Sequence, residues 1–308
     1  MIDQATSEPD KIILIGLAES GKTTITNVIT DGFVPDKNAS YKATVDYKRR
    51  EIILLGKKMT IFDLGGQKVF LDRFTGDMAQ FIFSKVKALV FTVDSEKVET
   101  FSQVKHYLDL AVKNLDQYSP EAPIYVLLHK NDLIDSDKRE ELAKHTKTYL
   151  KATLHKPIKF FETSVFSESI FHAFGNIFAE ITGIHDSLKN ILDNFVKENS
   201  QALDSIQLFY PNGVPLLDPS YFGNVSLSHV KSIIESFILS IGKKKEDTRS
   251  AFIESENNVY FVRFLENDAV LFLHFTHFGI YMNHESVPVI YNKVALLADE
   301  LNSYYSNY

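Results

Sequence analysis

The sequence predicts two domains of different class, an α/β domain over residues 11–183 and an α+β domain over residues 184–308. Two observations predict the first domain. Continuously apolar segments alternate with helical ones, and a glycine-rich loop joins the first strand to the first helix. Such segments are typical of parallel strands that are buried on both faces of a doubly wound sheet. The third observation is a change after residue 183, where amphipathic helices alternate with short strands joined by tight turns.

Composition is that of an ordinary globular protein. The 308 residues are 44% hydrophobic, and the net charge of −7 argues against a general nucleic-acid binder. The chain contains no cysteine, which excludes disulfides, zinc–thiolate sites, palmitoylation and prenylation. We therefore expect a cytoplasmic protein that reaches a membrane surface only through a partner. We also expect a disordered arm over residues 1–10.

The first domain is predicted to hold a six-stranded, mostly parallel sheet. The strands are expected at 11–15, 45–55, 58–62, 88–94, 123–128 and 158–161. The second and third strands form a hairpin joined at Gly56-Lys57. An irregular or helical segment is expected up to residue 87. Helices are predicted at 23–29, 98–115, 137–150 and 168–181.

The second domain is predicted to hold a five-stranded antiparallel sheet with helices. Apolar residues repeat with helical spacing from Leu188 to Val196, in a second helix from Val230, and in a last helix that begins near Ser286. The predicted strands are 204–210, 214–217, 250–254, 258–265 and 269–275. The first two flank Asn212-Gly213, and Asn-Gly is a strong hairpin signal.

Residues 16–23, here called the phosphate loop, match the pattern G-x-x-x-x-G-K-[ST] between a predicted strand and a predicted helix. The glycines let backbone N–H groups turn toward a phosphate, and the helix N-terminus adds partial positive charge. We expect Lys22 to reach the β- and γ-phosphates and the Thr23 hydroxyl to bind Mg²⁺.

Two further segments fit a γ-phosphate site. Asp63-Leu64-Gly65-Gly66-Gln67 ends a strand, where Asp63 can hold Mg²⁺ through water and the Gly66 backbone can sense the γ-phosphate. Gln67 is placed to orient an attacking water. Thr44 precedes the second strand, and its hydroxyl is expected on Mg²⁺ when a γ-phosphate is bound.

His129-Lys130-Asn131-Asp132, here called the base loop, ends another buried strand. The Asp132 carboxylate can accept the N1–H and N2–H₂ donors of guanine, and Lys130 can lie along the base plane. Backbone N–H groups of Thr163-Ser164 can face the guanine O6.

In order and spacing these motifs resemble a Ras-superfamily GTPase, and within it the Rag/Gtr family. The His-Lys-x-Asp form of the base loop and Thr163-Ser164-Val165 carry the closer resemblance. Residues 184–308 resemble the roadblock/longin-like domain that follows the GTPase domain in that family. The resemblance implies catalytic roles for Gln67, Lys22 and Thr44, and metal binding by Thr23, Thr44 and, through water, Asp63. The residues it implies for nucleotide binding are Gly16, Ala18, Glu19, Ser20, Gly21, Lys22, Thr23, Thr24, Gly66, His129, Lys130, Asp132, Thr163, Ser164 and Val165.

Two positions depart from the Ras pattern. Glu19 places an acid in the phosphate loop, as in the α subunits of heterotrimeric G proteins. An acid beside bound phosphates is repulsive unless a cation pairs with it, and Arg73 is the partner expected within this chain. His129 replaces the usual Asn, which removes a tether between the base loop and the phosphate loop and predicts looser base binding.

The resemblance implies a switch that binds GTP or GDP with Mg²⁺ and hydrolyses GTP slowly. An activating protein is expected to supply a catalytic group in trans. It also implies a dimer formed through residues 184–308, with homodimer and heterodimer equally open, a roadblock/longin-type scaffold as partner, and a role in nutrient or TOR-type signalling. Two alternatives stay open: a guanine-nucleotide-binding scaffold that hydrolyses nothing, and a P-loop ATPase or kinase.

Overall fold

The computed structural model describes residues 10–31, 43–54, 57–152, 154–183, 185–209, 215–216, 230, 232–233, 236, 250–254, 258–266, 269–276 and 286–306. Contacts divide the chain into a first compact unit that ends at Ala173 and a second that begins at Phe174. The predicted arm over residues 1–10 lies outside the described residues except for Asp10, which is the first residue of a strand.

The first unit contains the predicted six-stranded sheet. Its strands are β1 (Asp10–Ile15), β2 (Tyr47–Leu54), β3 (Lys57–Leu64), β4 (Val86–Asp94), β5 (Ile124–His129) and β6 (Ile158–Thr163), in the order β2-β3-β1-β4-β5-β6. Neighbouring strands are parallel except β2, which runs antiparallel to β3 as the predicted hairpin. The prediction of a mostly parallel sheet is confirmed. The carboxyl ends of five strands therefore meet at one edge of the sheet.

Helices follow the strands in the first part of the chain. They are α1 (Lys22–Asp31), α2 (Lys68–Thr75), α3 (Ala79–Phe83), α4 (Phe101–Tyr118), α5 (Ser136–Lys151) and α6 (Ser169–Thr182). The segment expected to be irregular or helical before residue 87 forms the two short helices α2 and α3. A short 3₁₀ turn, Val98–Thr100, precedes α4.

A continuous apolar core fixes the sheet of the first unit. Ile13 and Ile15 of β1 and Leu89 and Phe91 of β4 are fully buried, and one cluster joins them to apolar residues of α2, α3, α4 and α5. Each fully buried side chain of this size stabilises the fold by roughly 1.5–3 kcal/mol. The core therefore holds the strand ends, and the loops that leave them, at defined positions.

In the second unit the described strands form an antiparallel sheet of four, in the order β7 (Leu203–Phe209), β10 (Val270–Thr276), β9 (Asn258–Phe264) and β8 (Ser250–Glu254). Helices α7 (His185–Glu198) and α8 (Ser286–Ser306) flank it in sequence. Ile290, Val294, Leu297 and Leu301, the predicted apolar stripe of the last helix, are buried.

The prediction of five strands differs from the four that the described residues form. Of the fifth predicted strand, 214–217, the structure describes two residues: Pro215 forms an isolated bridge with Phe209, and the Leu216 N–H donates to the Leu208 carbonyl at 2.8 Å. Most of the predicted helix from Val230 lies outside the described residues, although Val230 and Ile233 are helical.

Within the described part of the chain, no helix is both long and apolar enough to cross a lipid bilayer.

Candidate functional site

The phosphate loop leaves the carboxyl end of β1 with a backbone that requires glycine. Gly16 has φ +154°, and a Cβ there would lie 2.2 Å from the Thr92 carbonyl oxygen. Gly21 has φ +92°, and a Cβ there would lie 2.6 Å from Cδ2 of His129. Both positions therefore exclude any side chain, which is the physical reason for the two glycines of the motif. Ser20, between them, is buried.

Lys22 is buried at the first turn of α1 and folds back over the phosphate loop. Its Nζ donates to the carbonyls of Gly16 at 2.9 Å and Leu17 at 2.7 Å, and to Ser20 Oγ at 3.3 Å. Burial lowers the pKa of Lys22 to about 8, against a smaller opposing effect of the Asp63 charge. The lysine thus holds a desolvated positive charge beside the backbone that is expected to hold phosphates.

Three oxygen-bearing side chains from distant segments meet beside Lys22. Thr23 Oγ1 donates to Asp63 Oδ2 at 2.6 Å and lies 2.6 Å from Thr44 Oγ1, which is 3.4 Å from the same carboxylate oxygen. Burial raises the pKa of Asp63 despite these hydrogen bonds. Among the described residues, its buried second oxygen, Oδ1, finds no hydrogen-bond partner.

This cluster has the donor chemistry of a Mg²⁺ site. Two hydroxyls and one carboxylate supply only oxygen, which is the ligand type that Mg²⁺ selects, and the unpartnered Oδ1 of Asp63 is available to a water of the metal. The residues that the sequence assigns to the metal, Thr23, Thr44 and Asp63, are therefore brought together and fit the ion.

Gly66 and Gln67 lie against the phosphate loop. A Cβ at Gly66 would come within 2.4 Å of the Leu17 carbonyl and 2.5 Å of the Ala18 nitrogen, so the two backbones touch. Gln67 is the N-cap residue of α2, is exposed, and does not use its side chain in capping. Its amide lies at the rim of a cleft of about 730 Å³, which Ala18, Gly66 and Gln67 line together with residues before and within α4.

The base loop is held at the ends of β5 and β6. His129 Nδ1 lies 3.0 Å from Thr163 Oγ1, and burial together with the charge of Lys130 lowers the pKa of His129 to about 4, so its ring is neutral. Lys130 adopts a left-handed backbone with φ +61°, and its Nζ donates to Asp94 Oδ2 at 2.7 Å. Asp132 is exposed beyond it.

The remaining predicted site residues lie after β6 and on α1. Ser164 and Val165 are buried after β6, the Ser164 N–H donates to Ser169 Oγ at 2.9 Å, and the Phe166 N–H donates to Ser164 Oγ at 3.1 Å. Thr24 is half-buried on α1. The segment after β6 lies beside the base loop at the same sheet edge, because β5 and β6 pair in parallel up to their ends, where His129 is opposite Thr163.

One prediction about the phosphate loop is wrong. Glu19 pairs with Lys97 at 2.5 Å and not with Arg73, whose guanidinium instead pairs with Asp46 at 2.9 Å. The reason is position: the loop after β4 ends at the same sheet edge as the phosphate loop, and Arg73 faces the segment before β2. The weaker tether and looser base binding expected from His129 stay a prediction: its ring packs on Gly21, and its Nδ1 lies beside Thr163 Oγ1 of the base side.

Two residues of the site escape sequence reasoning. Asp94, buried at the end of β4, anchors Lys130, and Lys97 neutralises Glu19. A signal for Asp94 was present, since an acid directly after a continuously apolar strand lies at the sheet edge where ligands bind. Lys97 has no such signal, because many exposed loops carry a lysine.

Comparison with known proteins gives one family and several relatives. Residues 11–213 match the family described as the Gtr1/RagA G protein conserved region. The GTP-binding protein GTR1 of Saccharomyces cerevisiae is 29% identical over 85% of this chain and 90% of its own length. The Ras-related GTP-binding protein A of Dictyostelium discoideum is 26% identical over 82% of this chain and 85% of its length. The GTP-binding protein gtr2 of Schizosaccharomyces pombe is 28% identical over 66% of each chain.

Proposed function

The chain belongs to the Gtr1/RagA family of small GTPases, and we propose that it is a Mg²⁺-dependent switch whose GTP and GDP states hold Thr44 and Gly66 differently. A γ-phosphate adds a ligand that both positions can contact, and its removal by hydrolysis releases them. The phosphate loop and the base loop would then bind one nucleotide across the carboxyl ends of the strands.

The observation that carries this proposal is the oxygen cluster of Thr23, Thr44 and Asp63. These side chains come from α1, from the segment before β2 and from β3, and they meet within 2.6 to 3.4 Å. Thr23 and Thr44 would hold Mg²⁺ directly and Asp63 through water. When bound, Mg²⁺ neutralises charge on the phosphate oxygens.

For hydrolysis, the chain offers a cation and an amide. Lys22 lies in a dry site, where its charge stabilises negative charge on the transferred phosphoryl group more strongly than in water. Gln67 is free to orient the attacking water, because its side chain caps no helix. With a slow intrinsic rate, on the order of 10⁻³ s⁻¹ or below, the enzyme would need a group supplied in trans by an activating protein.

Nucleotide exchange and single-turnover hydrolysis test this proposal. We expect a fluorescent GDP analogue to bind, to be released faster by EDTA, and to be displaced by GTP but not by ATP. Thr23→Asn should weaken binding, whereas Thr148→Ala, an exposed hydroxyl on α5, should not. Equal displacement by ATP would favour an ATPase or kinase. If bound GTP is never hydrolysed, even after addition of a cell lysate that contains activating proteins, the result would favour the guanine-nucleotide-binding scaffold that hydrolyses nothing.

We also propose a dimer that forms through residues 184–308. Relatives of both the Gtr1/RagA and Gtr2/RagC types are similar to this chain, which is consistent with pairing between two such GTPases. On this proposal, effectors and a roadblock-type scaffold recognise the dimer, bring it from the cytoplasm to a membrane, and connect it to nutrient signalling.

Light scattering on the full chain tests the dimer. A homodimer has twice the 35.1 kDa of one chain, while a heterodimer reaches that size only with a Gtr2-type relative. A chain that stays monomeric at high concentration, alone and after co-expression with such a relative, would contradict the proposal.

A further inference from the structure

Lys97 is fixed beside the phosphate loop by its own backbone. It follows β4 in the loop 95–97, where its N–H donates to the Asp94 carbonyl at 3.3 Å and its carbonyl accepts from the N–H of Thr100 at 3.0 Å and the Thr100 hydroxyl at 2.7 Å. The side chain therefore starts from a defined point, and its ammonium reaches Glu19 Oε2 at 2.5 Å.

Glu19 occupies an unfavourable position for an acid. It lies in the phosphate loop with φ +63°, a left-handed conformation that non-glycine residues seldom adopt. Hydrogen bonding and charge from Lys97 lower the pKa of Glu19, so the carboxylate is ionised. An ionised acid here repels any phosphate that the loop binds unless its charge is neutralised.

Charges of alternating sign connect the phosphate loop to the base loop. Glu19 pairs with Lys97, and Asp94, three residues before Lys97, pairs with Lys130 of the base loop at 2.7 Å. The hydrogen bond with Glu19 raises the pKa of Lys97, and the Asp94 charge adds a smaller effect in the same direction. The segment 94–97 thus pairs with both the phosphate loop, through Lys97, and the base loop, through Asp94.

From this geometry we propose that Lys97 is a positioning residue for nucleotide retention. Its ammonium neutralises Glu19 and holds the phosphate loop in its binding conformation, so that loss of Lys97 speeds nucleotide release. The inference rests on the proposed nucleotide site and adds to it a residue outside the sequence motifs. Glu19 and Lys97 both line the cleft that also contains Gln67. A partner protein that binds either side chain there would break the ion pair and speed nucleotide release.

The distinguishing feature is that Lys97 acts through Glu19. Removal of Lys97 alone leaves an unpaired acid beside the phosphates, and we expect release of a fluorescent GDP analogue to be about 3- to 10-fold faster, above the small effect of an ordinary exposed ion pair. Removal of both charges also removes the repulsion. The double variant Glu19→Ala/Lys97→Ala should therefore release nucleotide more slowly than Lys97→Ala alone, and Lys97→Arg, which keeps the charge, should release it more slowly than Lys97→Ala as well.

The experiment measures GDP-analogue dissociation by stopped flow for these variants in the full chain, with folding verified by circular dichroism. Lys138→Ala, which removes an exposed ion pair with Asp135 on α5, is the matched control and should have no effect. Wild-type release by Lys97→Ala, or equal acceleration with and without Glu19, would overturn the inference. Failure of the wild-type chain to bind any guanine nucleotide would instead overturn the proposed function.

Discussion

Replacement of Lys22 by methionine is expected to stabilise the nucleotide-free protein while it abolishes nucleotide binding. Lys22 is buried, and burial lowers its pKa from the ordinary value of 10.5 to about 8. At about 1.36 kcal/mol per pKa unit, keeping this charge in the fold costs roughly 3 kcal/mol at pH 7. Methionine has nearly the same length and no charge to desolvate.

The stability gained by Lys22→Met is reduced by the loss of the hydrogen bonds that Lys22 donates. Lys22 donates to the carbonyls of Gly16 and Leu17, and each carbonyl left without a donor costs about 1 kcal/mol. The net stabilisation of Lys22→Met is therefore about 1 kcal/mol, which raises the unfolding temperature by about 2–4 °C for a domain of this size.

The pH dependence gives the sharper test. A lysine whose folded pKa is lowered is charged in both states below about pH 8, and above that pH the folded state loses its proton first. The unfolded state then binds more protons, so wild-type stability rises relative to the variant between about pH 8 and pH 10.5. The advantage of Lys22→Met should therefore disappear near about pH 9 and reverse toward pH 10.5, because the wild type gains roughly 3 kcal/mol over that range and the variant gains none.

Differential scanning calorimetry of nucleotide-free protein from pH 7 to pH 10.5 measures this difference. Lys138→Met, at an exposed position of α5, is the control and should follow the wild type at every pH. A variant that is less stable than the wild type at pH 7, or an advantage independent of pH, would refute the reasoning. Added GDP should raise the unfolding temperature of the wild type and of the control only.

Three further substitutions have defined outcomes. Gly66→Ala places a Cβ 2.4 Å from the Leu17 backbone and should lower the free energy of unfolding in urea by about 1–3 kcal/mol; an unchanged midpoint would mean that the two loops do not touch. Asp94→Asn removes the partner of Lys130 and should speed GDP-analogue release about 10-fold, since charge-assisted pairs contribute roughly 1.5–3 kcal/mol, whereas Asp135→Asn should not. Gln67→Leu should slow single-turnover GTP hydrolysis by at least about 10-fold and leave GDP affinity unchanged; hydrolysis at the wild-type rate would exclude Gln67 from water positioning.

Much of the fold was predictable because its signals are local. Four consecutive residues of β1, from Ile12 to Ile15, have no exposed surface, as a continuous apolar run predicts for a strand covered on both faces. For the predicted strand 214–217, the part of the chain that the structure describes shows the bridge of Pro215 with Phe209.

The candidate site was predictable wherever a backbone conformation or a shared ligand dictates the residue type. Gly16 and Gly21 are required because no Cβ fits, and Thr23 and Asp63 supply the oxygen donors that the proposed Mg²⁺ site needs. The charge pairs around these residues were not predictable. Arg73 and Lys97 are both cations near the site, and nothing in their local sequence tells which one Glu19 meets.

The sequence by itself determined the class of the fold, the conformation of the phosphate loop, and the residue types at the proposed metal and base positions, because each depends on residue types at short, regular spacings. The tertiary structure alone decided which charges meet. Glu19 and Lys97 are 78 residues apart in the chain and come together only because the strand order places β1 beside β4. An ion pair depends on distance in space, and that distance is set by the sheet.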